Sequence, residues 1–134
     1  REKAKYRKIS NESELISYLE NSTKKIIKNV RLEDLALLEK IETFKRAKKV
    51  IGIHGAGLSH IIFMNKKSTV IELIPENMNP ESENINLKYQ YEWLSKTFDL
   101  KYRSVFLTKK SHKALDRELY YLTKNDFKEI KSRL

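Results

Sequence analysis

The sequence predicts an α/β fold, a Rossmann-like parallel sheet with helices on both faces. Two short runs, residues 50–53 and 69–74, are nearly continuous in apolar residues, as in strands covered on both faces. Segments with apolar residues three and four positions apart alternate with these runs, as in helices that pack on one side. This alternation favours a parallel sheet whose strands are linked by helices. The length of 134 residues suits one domain, and we interpret residues 1–134 as a single domain.

The first predicted helix begins at Asn11 and runs to about Glu20. Asn11 is a residue type that caps helices, and Glu14, three positions later, has the spacing of a capping box. The segment that follows, residues 24–30, is rich in β-branched residues and predicts a strand.

Residues 32–47 predict a second helix. Its acidic residues come first and its basic residues last, as the helix dipole favours. The apolar residues predicted on or beside its buried face are Leu35, Leu37, Leu38, Ile41 and Phe44.

The two central strands follow. Residues 48–54 form the first, which leads through a glycine-rich turn into a short helix with Leu58, Ile61 and Ile62 as its predicted buried stripe. Residues 68–74 form the second, which Pro75 closes.

The rest of the chain begins with a polar loop at residues 75–84. Helical spacing over residues 87–98 and strand character over residues 101–107 come next. The last ten residues predict a helix capped by Asn125, whose apolar face is formed by Phe127, Ile130 and Leu134. Residues 108–122 favour no single structure, although part of this segment is predicted to be helical.

Composition restricts the possible chemistry. The chain has no cysteine, which excludes disulfides, thiolate metal sites and cysteine nucleophiles. Its net charge of +10 can be interpreted in two ways. Lysines spread over helix faces keep a protein soluble, whereas a nucleic-acid-binding protein would use the charge for phosphate contacts.

All three glycines, Gly52, Gly55 and Gly57, lie in one six-residue stretch at the end of a predicted strand. At such a turn, glycines let a ligand approach the backbone, and the first amides of the following helix attract phosphate. The spacing is neither the dinucleotide-binding pattern nor a P-loop, which disfavours a plain NAD site or an NTPase.

Three ionisable side chains lie near this turn. His54 is placed either to donate to a phosphate oxygen or to make a structural hydrogen bond, and His60 is expected to face solvent. Without a third ligand nearby, the two histidines do not predict a metal site. Glu72 interrupts an apolar strand, so it either pairs with a lysine or peptide amides, or accepts hydrogen bonds from ligand hydroxyls such as those of ribose.

The stretch "AKKVIGIHGAGLSHIIFMNKKSTVIELIPE" resembles the central motif of glycosyltransferase family 61, in which a His-Gly-Ala-Gly-Leu turn is followed by an Ile-Glu-Leu strand. Upstream, "RKISNESEL" is similar to that family's Arg-x-Ile-x-Asn-Glu segment, here Arg7, Ile9, Asn11 and Glu12. The resemblance covers roughly residues 1–76, and residues 100–102 weakly.

The resemblance implies that this chain is the C-terminal, nucleotide-sugar-binding half of a two-domain GT-B glycosyltransferase. A UDP-sugar is the expected donor, a hydroxyl of a glycan, protein or lipid-linked molecule the acceptor, and inversion the outcome. The general base is expected on a missing N-terminal domain, so no catalytic residue is assigned, and the isolated chain is expected to be inactive. The donor-binding residues that the resemblance implies are Arg1, His54, Gly55, Ala56, Gly57, Leu58 and Glu72.

No metal or other cofactor is expected, because the sequence has no Asp-x-Asp to hold a metal and amides, histidine and arginine would stabilise the leaving diphosphate. The sequence departs from the family pattern at Ile53, at Ser59–His60 and at Lys40. The competing hypothesis is a basic nucleic-acid-binding or scaffold domain, in which the glycine stretch is only a tight turn.

Overall fold

The computed structural model describes residues 8–75, 89–107 and 119–134. The strands are β1 (Lys8–Ile9), β2 (Lys49–Ile53), β3 (Thr69–Ile74), β4 (Lys101–Phe106) and β5 (Leu119–Tyr120). The α-helices are α1 (Glu12–Thr23), α2 (Leu37–Arg46), α3 (Gln90–Thr97) and α4 (Lys124–Ser132), and 3₁₀ helices span Leu32–Asp34 and Ala56–Phe63. None of these helices combines the length and the apolar character needed to cross a lipid bilayer.

Strands β2, β3 and β4 form a parallel sheet with β3 in the centre. In this sheet Gly52, Glu72 and Ser104 share one register position, and Val50, Val70 and Tyr102 share another. Every residue of β3 is buried, as expected for a central parallel strand covered on both faces. Outside this sheet, β1 and β5 form a separate parallel pair.

Helices cover both faces of the sheet. Side chains alternate between the two faces along each strand, so each face has its own set of apolar residues. On one face, Val50 and Val70 pack with residues of α2, the Ala56–Phe63 helix and α3. On the other face, Ile53, Ile71 and Val105 pack with residues of α1 and α4. The predicted α/β class with a parallel sheet is confirmed, and the layering is consistent with a Rossmann-like fold.

The predicted start of the first helix at Asn11 is confirmed, because Asn11 is the residue that precedes α1, but the predicted side-chain caps of the first and last helices are wrong. The side chain of Asn11 makes no capping hydrogen bond to α1; its amide group pairs in both directions with the backbone of Leu122, at 2.9 Å each way. Helix α4 is capped by Thr123 rather than Asn125, because the Thr123 hydroxyl accepts from the amide of Asp126. The buried partners predicted within α4, Phe127 and Ile130, are confirmed.

The predicted strand at residues 24–30 is also wrong. Helix α1 continues to Thr23 and ends on Lys24 in the left-handed conformation. The segment that follows has no strand structure, and its Ile26 is 96% exposed. The amide of Ile27 donates to the side chain of Glu20 instead of to a neighbouring strand.

Two predicted apolar faces differ from the observed ones. In α2 only Phe44 is fully buried, whereas Leu37 and Leu38 are exposed. After the glycine turn the chain forms a 3₁₀ helix instead of an α-helix. Its period of about three residues per turn buries Leu58, Ile61 and then Met64 and leaves Ile62 exposed.

Several predictions fall outside the described ranges. They include the polar loop beyond Pro75, the start of the predicted helix at residues 87–98, and most of residues 108–122. The strand predicted at residues 101–107 is confirmed as β4, and the helix predicted at residues 87–98 is confirmed over α3.

Candidate functional site

The glycine turn lies at the carboxyl end of β2, beside the carboxyl end of β3. The pairing of these strands continues one residue past β2, because the amide of His54 donates to the carbonyl of Leu73 at 2.9 Å. The chain then turns at Gly55, whose φ of 157° and ψ of 169° belong to a region that is essentially confined to glycine. In open parallel sheets this edge is where ligands bind.

Gly52 has a different role, close packing of the strand against the helix. A Cβ atom at this position would lie 2.8 Å from Cδ2 of Leu58. The missing side chain therefore lets the Ala56–Phe63 helix fold back onto the strand from which it emerges.

The turn is closed by two hydrogen bonds to one carbonyl group. The oxygen of Gly55 accepts from the amide of Leu58 at 2.9 Å and from the hydroxyl of Tyr91 at 2.7 Å. Because the Leu58 amide is used inside the helix, the prediction of amide donors to a ligand depends on Ala56 and Gly57. These two amides precede the first internal hydrogen bond of the 3₁₀ helix.

A buried polar network lies next to the turn. Nδ1 of His54 is in close contact with Oε1 of Glu72, and the hydroxyl of Tyr102 donates to Oε2 of Glu72 at 2.5 Å. Glu72 is 0% exposed and His54 is 4% exposed. Burying a carboxylate without partners is very unfavourable, and the two donors offset that cost.

The electrostatics of the network keep Tyr102 a hydrogen-bond donor. Burial of the phenol raises its pKa well above the usual range, and the hydrogen bond to Glu72 and the charge of that carboxylate raise it further. The phenol therefore keeps its proton throughout the physiological range.

Tyr91 connects the network to the turn. Its ring lies edge-on to the imidazole of His54, with the ring centres 5.2 Å apart and the planes at 67°. Since the hydroxyl of the same side chain holds the Gly55 carbonyl, α3 fixes both the histidine and the turn.

The structure brings most of the predicted site residues together. His54, Gly55, Ala56, Gly57 and Leu58 are consecutive at the end of β2, and Glu72 contacts His54 from β3. Arg1 and Arg7 lie outside the described residues.

The partners of Glu72 are a histidine and a tyrosine, not the lysine or peptide amides that the sequence suggested. Both of its carboxylate oxygens are engaged inside the protein. Its contact with a ribose hydroxyl stays a prediction. His60, which was expected at the solvent, is half-buried: it stacks on Phe44 at 5.5 Å, and its Nδ1 lies 3.1 Å from the carbonyl oxygen of Gly57.

Sequence reasoning missed the roles of Tyr91 and Tyr102. Tyr91 lies within the helix predicted at residues 87–98, and the sequence around it contains no signal of a partner for its hydroxyl. Tyr102 shares its parity along β4 with Ser104, the register neighbour of Glu72, so the two side chains lie on the same face of the sheet. That parity would have pointed to Glu72 only if the order of the strands had been known.

A separate groove of about 300 Å³ lies on the other side of the sheet, between α1 and α4. It contains none of the predicted site residues, so it does not bear on the chemistry of the turn. Over the three ranges that the structure covers, no three histidine, aspartate or glutamate side chains converge as metal ligands would.

Comparison with known proteins gives matches over the first half of the chain. The model of the family described as Glycosyltransferase 61 matches residues 1–71. The EGF domain-specific O-linked N-acetylglucosamine transferase of Drosophila melanogaster is 34% identical over 71 residues, which are 53% of this chain and 14% of that protein. The protein O-linked-mannose beta-1,4-N-acetylglucosaminyltransferase 2 of Canis lupus familiaris is 33% identical over 75 residues, 56% of this chain and 13% of that protein. The chain thus spans about one seventh of the length of these relatives.

Proposed function

Because this chain belongs to glycosyltransferase family 61, we propose that it binds the nucleotide-sugar donor in a two-domain GT-B enzyme. The donor is a UDP-sugar, and the names of the two relatives favour N-acetylglucosamine as the sugar. The acceptor is a hydroxyl group of a glycan, a protein or a lipid-linked molecule.

The observation that carries this proposal is the position of the amides of Ala56 and Gly57. They begin a 3₁₀ helix at the carboxyl edge of a parallel sheet, directly after His54. Free amides, an imidazole and a close backbone approach are the groups that hold the two phosphates of a nucleotide diphosphate. Arg1 would add a positive charge to this group.

In the proposed reaction the acceptor oxygen attacks the anomeric carbon of the sugar from the side opposite the diphosphate. A bond forms between these atoms while the bond from the anomeric carbon to the diphosphate oxygen breaks, which inverts the configuration. The hydroxyl proton passes to a base on the domain that completes the enzyme. Residues at the turn contribute by stabilising the negative charge on the departing UDP. This mechanism requires no metal ion.

Titration of the chain with UDP and UDP-N-acetylglucosamine tests the donor site. We expect the backbone amide resonances of Ala56 and Gly57 to shift at millimolar nucleotide. The matched control is Gly57→Val, which places a branched side chain at the turn and should abolish these shifts. Unchanged resonances at Ala56 and Gly57 in the unmodified chain would contradict the donor-site assignment.

A second candidate, nucleic-acid binding, is favoured by a basic cluster at the opposite, amino end of the sheet. Burial lowers the pKa of the Lys49 amine, and repulsion from nearby cations lowers it further. These cations are Lys25, Arg103 and Lys101. This function predicts salt-dependent binding of random oligonucleotides, which Gly57→Val leaves unchanged and Lys101→Ala weakens. UDP binding at the turn should instead be lost in Gly57→Val and unchanged in Lys101→Ala.

A further inference from the structure

Three polar side chains, two of them buried and the third, Tyr102, half-buried, connect the three strands of the sheet. His54 follows β2, Glu72 lies on the central β3, and Tyr102 lies on β4. The carboxylate of Glu72 is the middle of this network, with one oxygen facing the imidazole and the other facing the phenol. A carboxylate group has only acceptors, so a carboxylate at this position takes its two hydrogen bonds from an N–H of the imidazole and from the phenol.

This arrangement decides how the imidazole can be used. With Glu72 as the acceptor, Nδ1 of His54 supplies the proton of this contact, in the neutral ring and in the charged ring alike. Any contact of His54 with a bound phosphate therefore passes through Nε2. The carboxylate itself is held from its far side by Tyr102, which remains a donor because burial and the neighbouring carboxylate raise its pKa.

We propose that Glu72 is a positioning residue: with Tyr102 behind it, the carboxylate fixes the tautomer and orientation of His54, which then binds the donor diphosphate through Nε2. This inference rests on the proposed function. It replaces the ribose contact expected for Glu72 with an indirect role. A carboxylate that is 0% exposed and engaged at both oxygens reaches the ligand only through the imidazole.

The test compares UDP with inorganic pyrophosphate, which has the phosphates but no ribose. Glu72→Gln keeps the size of the side chain and removes its charge. If Glu72 positions His54, this change weakens UDP and pyrophosphate by the same factor, about tenfold, because a charge-assisted hydrogen bond is lost. If Glu72 binds ribose, UDP weakens and pyrophosphate does not, which would overturn the proposal.

Tyr102→Phe gives a second, milder variant that retains the carboxylate. We expect a smaller but again equal loss of UDP and pyrophosphate affinity, about threefold. The matched controls are Glu14→Gln and Tyr121→Phe, two exposed residues of the same types on the opposite side of the sheet. They should leave both affinities unchanged.

Long-range ¹H–¹⁵N NMR of the imidazoles separates positioning from mere stabilisation of the fold. In the unmodified chain the spectrum should show His54 protonated at Nδ1, and this signature should change in a folded Glu72→Gln variant. An unchanged signature there would overturn the proposal. If the unmodified chain binds neither UDP nor pyrophosphate, the proposed function is refuted instead. The role of His54 in binding phosphate is then refuted as well, even if the proton on Nδ1 is observed.

Discussion

A single methyl group added at Gly52 provides a sharp test of how the turn is built. Gly52 lies in β2, and a Cβ atom added there would lie 2.8 Å from Cδ2 and 3.4 Å from Cγ of Leu58. Carbon atoms in ordinary contact are about 3.5–4.0 Å apart, so the Leu58 methyl must retreat by roughly 0.7 Å.

The size of the effect follows from the surroundings of Leu58. This side chain is 4% exposed and belongs to the cluster that packs α2 and α3 on the sheet, so its movement disturbs close-packed neighbours. Overpacking of this kind costs about 1–3 kcal/mol. Replacing glycine by alanine also offsets about 0.4–1 kcal/mol of this loss, because alanine lowers the conformational entropy of the unfolded chain. From the middle of each range, about 2 and about 0.7 kcal/mol, we expect Gly52→Ala to lower the free energy of unfolding by about 1.3 kcal/mol.

Urea denaturation of a double-mutant cycle identifies the cause. Leu58→Ala alone should cost about 2–5 kcal/mol, because it leaves a cavity. In the double variant the new methyl group occupies part of that cavity, so the loss should be smaller than the sum by about 1 kcal/mol or more. Ile62→Ala is the control, since Ile62 is in the same helix but exposed, and its effect should add to that of Gly52→Ala.

Two results would refute this reasoning. One is a Gly52→Ala variant that is as stable as the unmodified chain or more stable. The other is strict additivity with Leu58→Ala, which would mean that the two positions do not share the space between strand and helix.

Three further predictions concern stability. Because the folded chain holds the Tyr102 proton more tightly than the unfolded chain, which releases it near pH 10, the free energy of unfolding should fall as the pH rises from about 10 to 12. Tyr102→Phe should reduce the slope of this decline by at most about 1.4 kcal/mol per pH unit, as measured by urea denaturation across that pH range. An equal slope in both proteins would contradict the hydrogen bond from Tyr102 to Glu72. Lys24→Gly should stabilise the chain by up to about 1 kcal/mol in thermal denaturation, because Lys24 ends α1 with a φ of 56°, a conformation that glycine adopts without strain. A loss of stability would contradict a strained helix end. Thr123→Ala should cost about 1 kcal/mol by removing the cap of α4, whereas Asn125→Ala, at the cap position favoured by the sequence, should be nearly neutral.

The strand β3 was predictable because burial on both faces leaves a local signature, and β2, which is half-buried, has the same apolar composition. Continuous apolar runs identified β2 and β3 with nearly correct ends, and the glycines identified the turn between β2 and its helix. The segment at residues 24–30 also contains β-branched residues, Ile26, Ile27 and Val30, but forms no strand. Strand propensity depends on a neighbour with which to pair, and the sequence does not state whether one is available.

The hydrogen-bond partners were less predictable, because they come from distant parts of the chain. Asn11 has the local pattern of a helix cap, yet its amide pairs with Leu122, which is 111 residues away. Likewise, the sequence identified Glu72 as anomalous in an apolar strand but offered only generic partners. His54 and Tyr102 are its partners because of the strand order, a property of the fold as a whole.

The position of Glu72 explains why a charge is tolerated in the most buried strand. Its register neighbours are Gly52 on β2 and Ser104 on β4, two of the smallest residues in the sheet. Because neither fills the space beside the carboxylate, larger side chains two positions away reach it diagonally: His54 from beyond the end of β2 and Tyr102 from earlier in β4. Only the central strand has neighbours on both sides, so only there do both oxygens find a donor within the sheet.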